Sequence, residues 1–195
     1  MSKVYIIGIS GGSASGKSTI SSRLRKALHK LKTLEIHMDS YFKIIKEIPV
    51  AESPITGKAY ADYNHPTSFD LDKLKRELSS AITSKQYQVI IIEGLLTLWD
   101  EEIYKQLDLK LFVECSSDER IVRRLKRNMQ WGLSFDEIAN AYLDLVKFRH
   151  DEFVEPCKWR ADLILNGSVS SKKMLEIIAT YVYSQFEMQY QETCI

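Results

Sequence analysis

The run Gly11-Gly12-Ser13-Ala14-Ser15-Gly16-Lys17-Ser18 constrains this chain more than any other stretch. It matches G-x-x-x-x-G-K-[ST] in full, follows the apolar run at residues 4–9, and opens an amphipathic run at Lys17. A strand, a small-residue turn and a helix in that order make a phosphate cradle. The small residues let backbone N–H groups turn inward, and the helix N-terminus adds partial positive charge. Lys17 is expected to reach the β- and γ-phosphates, the Ser18 hydroxyl to ligate Mg²⁺, and Thr19 to continue the motif into the helix.

The remaining sequence alternates short apolar runs with amphipathic ones, the pattern of a parallel sheet covered on both faces. Strands are expected at residues 4–9, 34–38, 88–92, 109–113 and 162–165, each apolar almost throughout, as strands buried on both sides must be. Helices are expected at residues 17–31, 71–83, 118–129, 135–153 and 171–189. The first carries Ile20, Leu24, Ala27, Leu28 and Leu31 on one stripe, and Ser134 with Glu137 forms a capping box for the fourth. Residues 40–69, with Pro49, Pro54, Gly57 and Pro66, read as neither strand nor helix. A connection that long is usually a binding loop or lid, and it leaves the second strand where open α/β sheets bind ligands.

The 195 residues suit one domain with a sizeable core, and the net charge of +1 gives no field that would gather nucleic acid or an anionic membrane. Cys115, Cys157 and Cys194 are scattered and odd in number, which suits reduced thiols in a cytosol. The run at residues 89–99 is interrupted by Glu93 and Gly94, so no membrane span is expected, nor a targeting segment. A cytoplasmic protein is expected, with no nucleic-acid or membrane partner.

A phosphate cradle alone does not name a reaction. No Asn-Lys-x-Asp run marks a guanine-reading switch, and one domain leaves no room for the added modules of a motor ATPase. A metabolite kinase needs further parts, and candidates exist. Glu93 ends an apolar strand, where an acid can hold a water of the Mg²⁺ shell. Asp39 follows the second strand, where a carboxylate can accept the proton of an acceptor hydroxyl. Arg120, Arg123, Arg124 and Arg127 share one helix stripe that could clamp phosphates, while Val122, Leu125 and Met129 lie on another that could pack inward. His65, before Pro66, is expected to fix a turn near the acceptor, whereas His29 and His150 read as helix-surface or interface residues. Trp99, Trp131 and Trp159 read as core or lid packing rather than a stacking platform.

These residues together resemble the uridine kinase and phosphoribulokinase family. The resemblance rests on Gly11 to Thr19, M-D-S-Y-F-K around Asp39, Y-N-H-P-T-S-F-D from Tyr63, I-E-G-L around Glu93, the arginine stripe, and F-V-E-P-C-K-W-R-A-D-L-I-L-N from Phe153. It implies a nucleoside-monophosphate-kinase-like P-loop α/β fold in a single domain. A lid at about residues 120–134 would carry Arg124 and Arg127, and an acceptor loop would span about 40–69. It implies ATP and Mg²⁺, Asp39 as base, and the 5′-hydroxyl of uridine or cytidine as acceptor. Tyr41, Asp62, Tyr63, Asn64 and His65 are the candidates for the acceptor pocket, and a homo-oligomer would be in keeping with the family.

Three departures bear on the acceptor. The family's base-reading hairpin between the 71–83 helix and the next strand has no room here. Asn64 stands where the family holds ribose with Asp, and Trp131 and Leu133 stand near its distal lid arginines. The alternatives are another riboside, such as nicotinamide riboside, a different small alcohol, or a nucleotide-binding regulatory protein without transfer.

Overall fold

The computed structural model describes residues 3–169 and 171–192, with side chains to residue 186. Five parallel strands form the central sheet: β1 (Tyr5–Gly11), β2 (Thr33–His37), β5 (Val89–Glu93), β6 (Leu109–Glu114) and β7 (Leu163–Asn166), in the order β2-β5-β1-β6-β7. These are the five expected strands, each moved by a residue or two. Their apolar character follows from burial on both faces. On β5, Ile90 and Ile92 enter one core with Leu74 and Leu78 of α2 (Leu71–Ser84), while Val89 and Ile91 enter the other. That second core is filled by Ile20, Leu24 and Leu28 from α1 (Lys17–Ala27) and its C-cap, and by Ile178 and Val182 of α7 (Lys172–Glu192).

The strand order reverses direction on either side of β1, so the connections leaving β1 and β6 run to opposite sides of the sheet and leave a crevice at the strands' carboxyl ends. The phosphate cradle follows β1 into that crevice. Register does further work, because β2 and β5 pair with His37 opposite Glu93, and β1 pairs with Ile9 opposite Glu93. The strand-terminal acid is thereby set between the second strand and the cradle.

Four expectations are corrected. First, residues 40–69 are not structureless. They contain an antiparallel hairpin, β3 (Val50–Glu52) with β4 (Ala59–Ala61), between short 3₁₀ turns. The hairpin is pinned from outside, by Tyr60 Oη (2.6 Å) and Thr56 Oγ1 (2.9 Å) donating to Asp144 Oδ2, which explains why three-residue strands persist.

Second, the expected helix at 135–153 begins at α5 (Phe135–Ala141) with both halves of its capping box formed. It then widens into π turns at Tyr142–Val146 and His150–Val154, on either side of α6 (Lys147–Arg149). Such turns are frequent at functional sites, and here they aim Asp144 and Arg149 at the hairpin segment.

Third, the face assignment of α4 (Ser117–Gln130) is inverted. The arginine stripe turns inward, with Arg120 7% exposed, while Val122 and Met129 are about half exposed at 48% and 50%. Fourth, Trp131 and Trp159 are exposed rather than packed, and His150 is tucked against the cradle rather than on the surface. Two further elements escaped the sequence reading: α3 (Glu101–Tyr104), capped by Asp100, and a 3₁₀ turn at Glu155–Arg160. Cys194 lies outside the described residues.

Candidate functional site

The cradle closes around a left-handed backbone. Ala14 and Gly16 have φ of 64° and 98°, and Gly16 is the N-cap of α1. No side chain caps that helix and its first turn holds no acid, so its N-terminal amides are left for an anion. The loop after β7 presses on the cradle from outside: a Cβ at Gly167 would collide with the Ser15 carbonyl oxygen, which only glycine avoids.

One cavity of about 1040 Å³ runs along this crevice. It is lined by Gly16, Lys17, Ser18, Thr19 and Arg23 of the cradle and α1, by Asp39, Phe42, Tyr63, Asn64, Phe69 and Leu95, by Arg123, Asn128, Trp131 and Leu133, and by Gly167 and Ser168. Ser13, Arg124 and Arg127 line it too. The cavity thus brings together the cradle, Asp39 and three of the four stripe arginines, Arg123, Arg124 and Arg127.

The lining is cationic where α4 meets the cradle. Arg124 Nη1 (3.2 Å) and Arg127 Nη2 (3.3 Å) both donate to Ser13 Oγ, a weak partner for two guanidinium groups. Arg124 Nε is buried and has no hydrogen-bond partner. Burial, followed by repulsion from Arg127, pushes the Arg124 guanidinium down to about 10, and burial also lowers Arg127 against the pull of Asp39. Both remain charged at neutral pH. Two half-buried cations that share one hydroxyl, with Arg127 Nε also donating to Asn128 Oδ1, are poised for a multiply charged anion.

Ser18 and Glu93 meet beside the cradle. Ser18 Oγ donates to the Glu93 carboxylate at 3.1 and 3.2 Å, and His37 Nδ1 lies 2.9 Å from Glu93 Oε1. Glu93 is 3% exposed. No cluster of three or more His, Cys, Asp or Glu exists among the described residues. One hydroxyl and one carboxylate beside a phosphate cradle fit Mg²⁺, which keeps waters and phosphate oxygens as its other ligands.

Several candidates are placed elsewhere. Tyr41 is buried in the core and donates to Glu77 Oε2, so its neighbour Phe42 takes the cavity wall. Asp62 is 1% exposed and paired with Arg149 Nε at 2.6 Å, while its Oδ1 accepts from the Asn64 backbone N–H. His65 accepts from the Thr67 backbone N–H and packs edge-on against Phe153 at 5.1 Å, fixing the turn but not lining the cavity. Of the five acceptor candidates, Tyr63 and Asn64 line the cavity.

Arg120 and Arg123 also leave the clamp. Arg120 Nε donates to the Cys115 carbonyl behind the cradle, and Arg123 Nη1 donates to the Ala14 and Gly167 carbonyls, fastening α4 to the cradle and the β7 loop. Phe42 and Phe69 were inside recognised motifs, so attention to side-chain direction would have found them. Leu95 likewise closes the I-E-G-L motif, whereas Arg23 and Asn128 carried no signal of their own.

Comparison with known proteins accords with this geometry. The Phosphoribulokinase / Uridine kinase family profile matches residues 6–89 and 79–174. The uridine kinase of Lactococcus lactis subsp. lactis (strain IL1403) is 33% identical over 207 residues, covering 94% of this chain and 98% of that protein. The uridine kinase of Staphylococcus aureus (strain JH9) is 32% identical over 212 residues, covering 97% and 100%. A solved structure described as a possible uridine kinase from Bacillus stearothermophilus superposes with a TM-score of 0.58 at 18% identity, covering 85% and 90%, a likeness of fold. The chain is a phosphotransferase and belongs to the phosphoribulokinase / uridine kinase family.

Proposed function

We propose that this protein transfers the γ-phosphoryl group of ATP to the 5′-hydroxyl of a pyrimidine nucleoside, uridine or cytidine. The observation that carries the reading is the shared cavity: the cradle with Lys17, the clamp of Arg124 and Arg127, and Asp39 all open onto it. The α1 amides and Lys17 would hold the triphosphate, and Ser18 with Glu93 would hold Mg²⁺, which neutralises phosphate charge when bound. Asp39 would take the acceptor hydroxyl proton as the oxygen attacks phosphorus. Arg124 and Arg127 would leave Ser13 for the transferring phosphoryl group, whose charge they match better. Phosphoryl transfer asks little covalent chemistry of a protein, so positioning and charge supply most of the rate.

A second acceptor class, another riboside such as nicotinamide riboside, is favoured by one observation. A short turn at Lys85–Gln88 joins α2 to β5, where the related uridine kinases were expected to carry their base-reading hairpin. An ADP-release assay against uridine, cytidine, nicotinamide riboside, ribulose 5-phosphate and pantothenate separates the two. Pyrimidine turnover is expected, absent in Asp39→Asn, which still binds ATP, whereas Lys17→Ala binds it poorly. Full activity in Asp39→Asn would remove the base assignment, and ATP binding without turnover of any acceptor would favour a regulatory role.

A further inference from the structure

Trp131 is 69% exposed, yet it lines the same cavity as Asp39, Phe42 and Tyr63. An indole that open on a cavity wall presents a free π face to whatever enters the cavity. Its position is built rather than accidental. Trp131 is the C-cap of α4, and the helix ends there in a tight reverse turn. The Gly132 N–H donates to the Met129 carbonyl (3.1 Å) and the Leu133 N–H to the Asn128 carbonyl (3.3 Å), with Gly132 at φ 90°. The Trp131 N–H itself donates to the Asn128 carbonyl at 3.0 Å. The backbone beneath the ring is therefore fixed. The ring is also tied to the clamp: the Arg127 guanidinium lies 5.0 Å from the indole centroid, one helical turn back.

Three further aromatic rings, Phe42, Tyr63 and Phe69, line the same cavity. Phe42 stacks on Phe69 at 4.3 Å and meets Tyr63 edge-on at 5.7 Å, so the wall it shares with Tyr63 is a π surface. Asn64 adds a buried amide beside Tyr63, able to donate and accept. A wall of this kind from the 40–69 segment and an exposed indole at the end of α4, lining one cavity, suit a flat, conjugated ring better than an aliphatic alcohol.

We infer that Trp131 is an acceptor-specificity residue, whose indole covers the heteroaromatic ring of a nucleoside-type acceptor, an inference that rests on the phosphotransfer reading given above. Covering the ring would also hold Arg127 over the phosphate path, because the two side chains are stacked. Acceptor recognition and clamp closure are then one event.

The test uses the full chain with ADP and Mg²⁺ present, in a Trp99→Phe, Trp159→Phe background where Trp131 is the remaining indole. Uridine, cytidine and nicotinamide riboside are titrated in turn, with D-ribose as the ring-free control. At least one nucleoside is expected to quench the emission while ribose does not. In the parent chain, Trp131→Ala is expected to weaken nucleoside binding about 5- to 100-fold, with ATP affinity unchanged within about twofold. Trp131→Phe should recover most of the loss. Unchanged nucleoside affinity in Trp131→Ala overturns the inference, whether or not the enzyme transfers phosphate. Nucleosides bound through Trp131 but never phosphorylated would sink the transfer reading and leave this one standing. Failure of every nucleoside to bind would remove both.

Discussion

Arg124 and Arg127 show how a single side chain acquires a role from burial. In water each would be an ordinary solvated cation, but here they share one hydroxyl, Ser13 Oγ, and Arg124 Nε has no acceptor. Replacing either by Gln should leave ATP binding within a few-fold and lower kcat by about 10³ or more, the range for a transition-state arginine. Steady-state kinetics check it, and equal losses in kcat and ATP affinity would mean ground-state binding instead.

His150 offers a pH test at the same scale. Burial, then the nearby Arg120, depresses its pKa to about 4 from the ordinary 6.5. The unfolded chain therefore takes up the proton first as pH falls. Stability should be fully present above about 6.5 and decline until about 4, the lower limit of the window. Replacing His150 by Gln should flatten that limb in urea unfolding followed between pH 7 and 4.

At the scale of elements, the acceptor segment depends on one ion pair. Asp62 is buried, and Arg149 Nε at 2.6 Å answers its charge while its other oxygen holds the Asn64 amide. Arg149→Ala leaves that carboxylate uncompensated and should cost about 3 kcal/mol or more. The pair Asp62→Asn with Arg149→Met should recover much of it, and additive losses in a double-mutant cycle would show that the pair does not couple. The same elements mark the limit of what the sequence made legible. Strands β1 and β5 were readable because their composition is dictated by burial on both faces, and Lys17, Ser18, Glu93 and Asp39 because local motif geometry places them. The stripe on α4 was readable as a stripe but not as a direction. Periodicity says which residues share a face, and only packing against the cradle says that the charged face is the inner one. Tyr41 and Phe42 differ in the same way, since a 3₁₀ turn decides which ring enters the core. Asp62 looked like a ligand because its partner, Arg149, is far away in sequence and its ion pair exists only once the π turns form.

On the scale of the whole molecule, the two cores lie on opposite faces of one sheet and meet through β1 and β5. A ligand that binds the cradle of the folded chain and not the unfolded one stabilises the whole molecule by mass action. ATP with Mg²⁺ at a hundredfold excess over Kd should therefore add about 2.7 kcal/mol to unfolding, an increase in Tm of roughly 5–10 °C for a chain of this length. Lys17→Ala should lose most of that shift.

The central claim is that Asp39 faces an acceptor hydroxyl across a bound triphosphate, and mass spectrometry of the acceptor tests it most directly. Purified chain incubated with ATP, Mg²⁺ and uridine should yield uridine heavier by one phosphoryl group, with its 5′ position identified by ³¹P coupling, and Asp39→Asn should yield none while still binding ATP. Product formed equally well by Asp39→Asn, or phosphate released to water with the acceptor unchanged, would contradict the account.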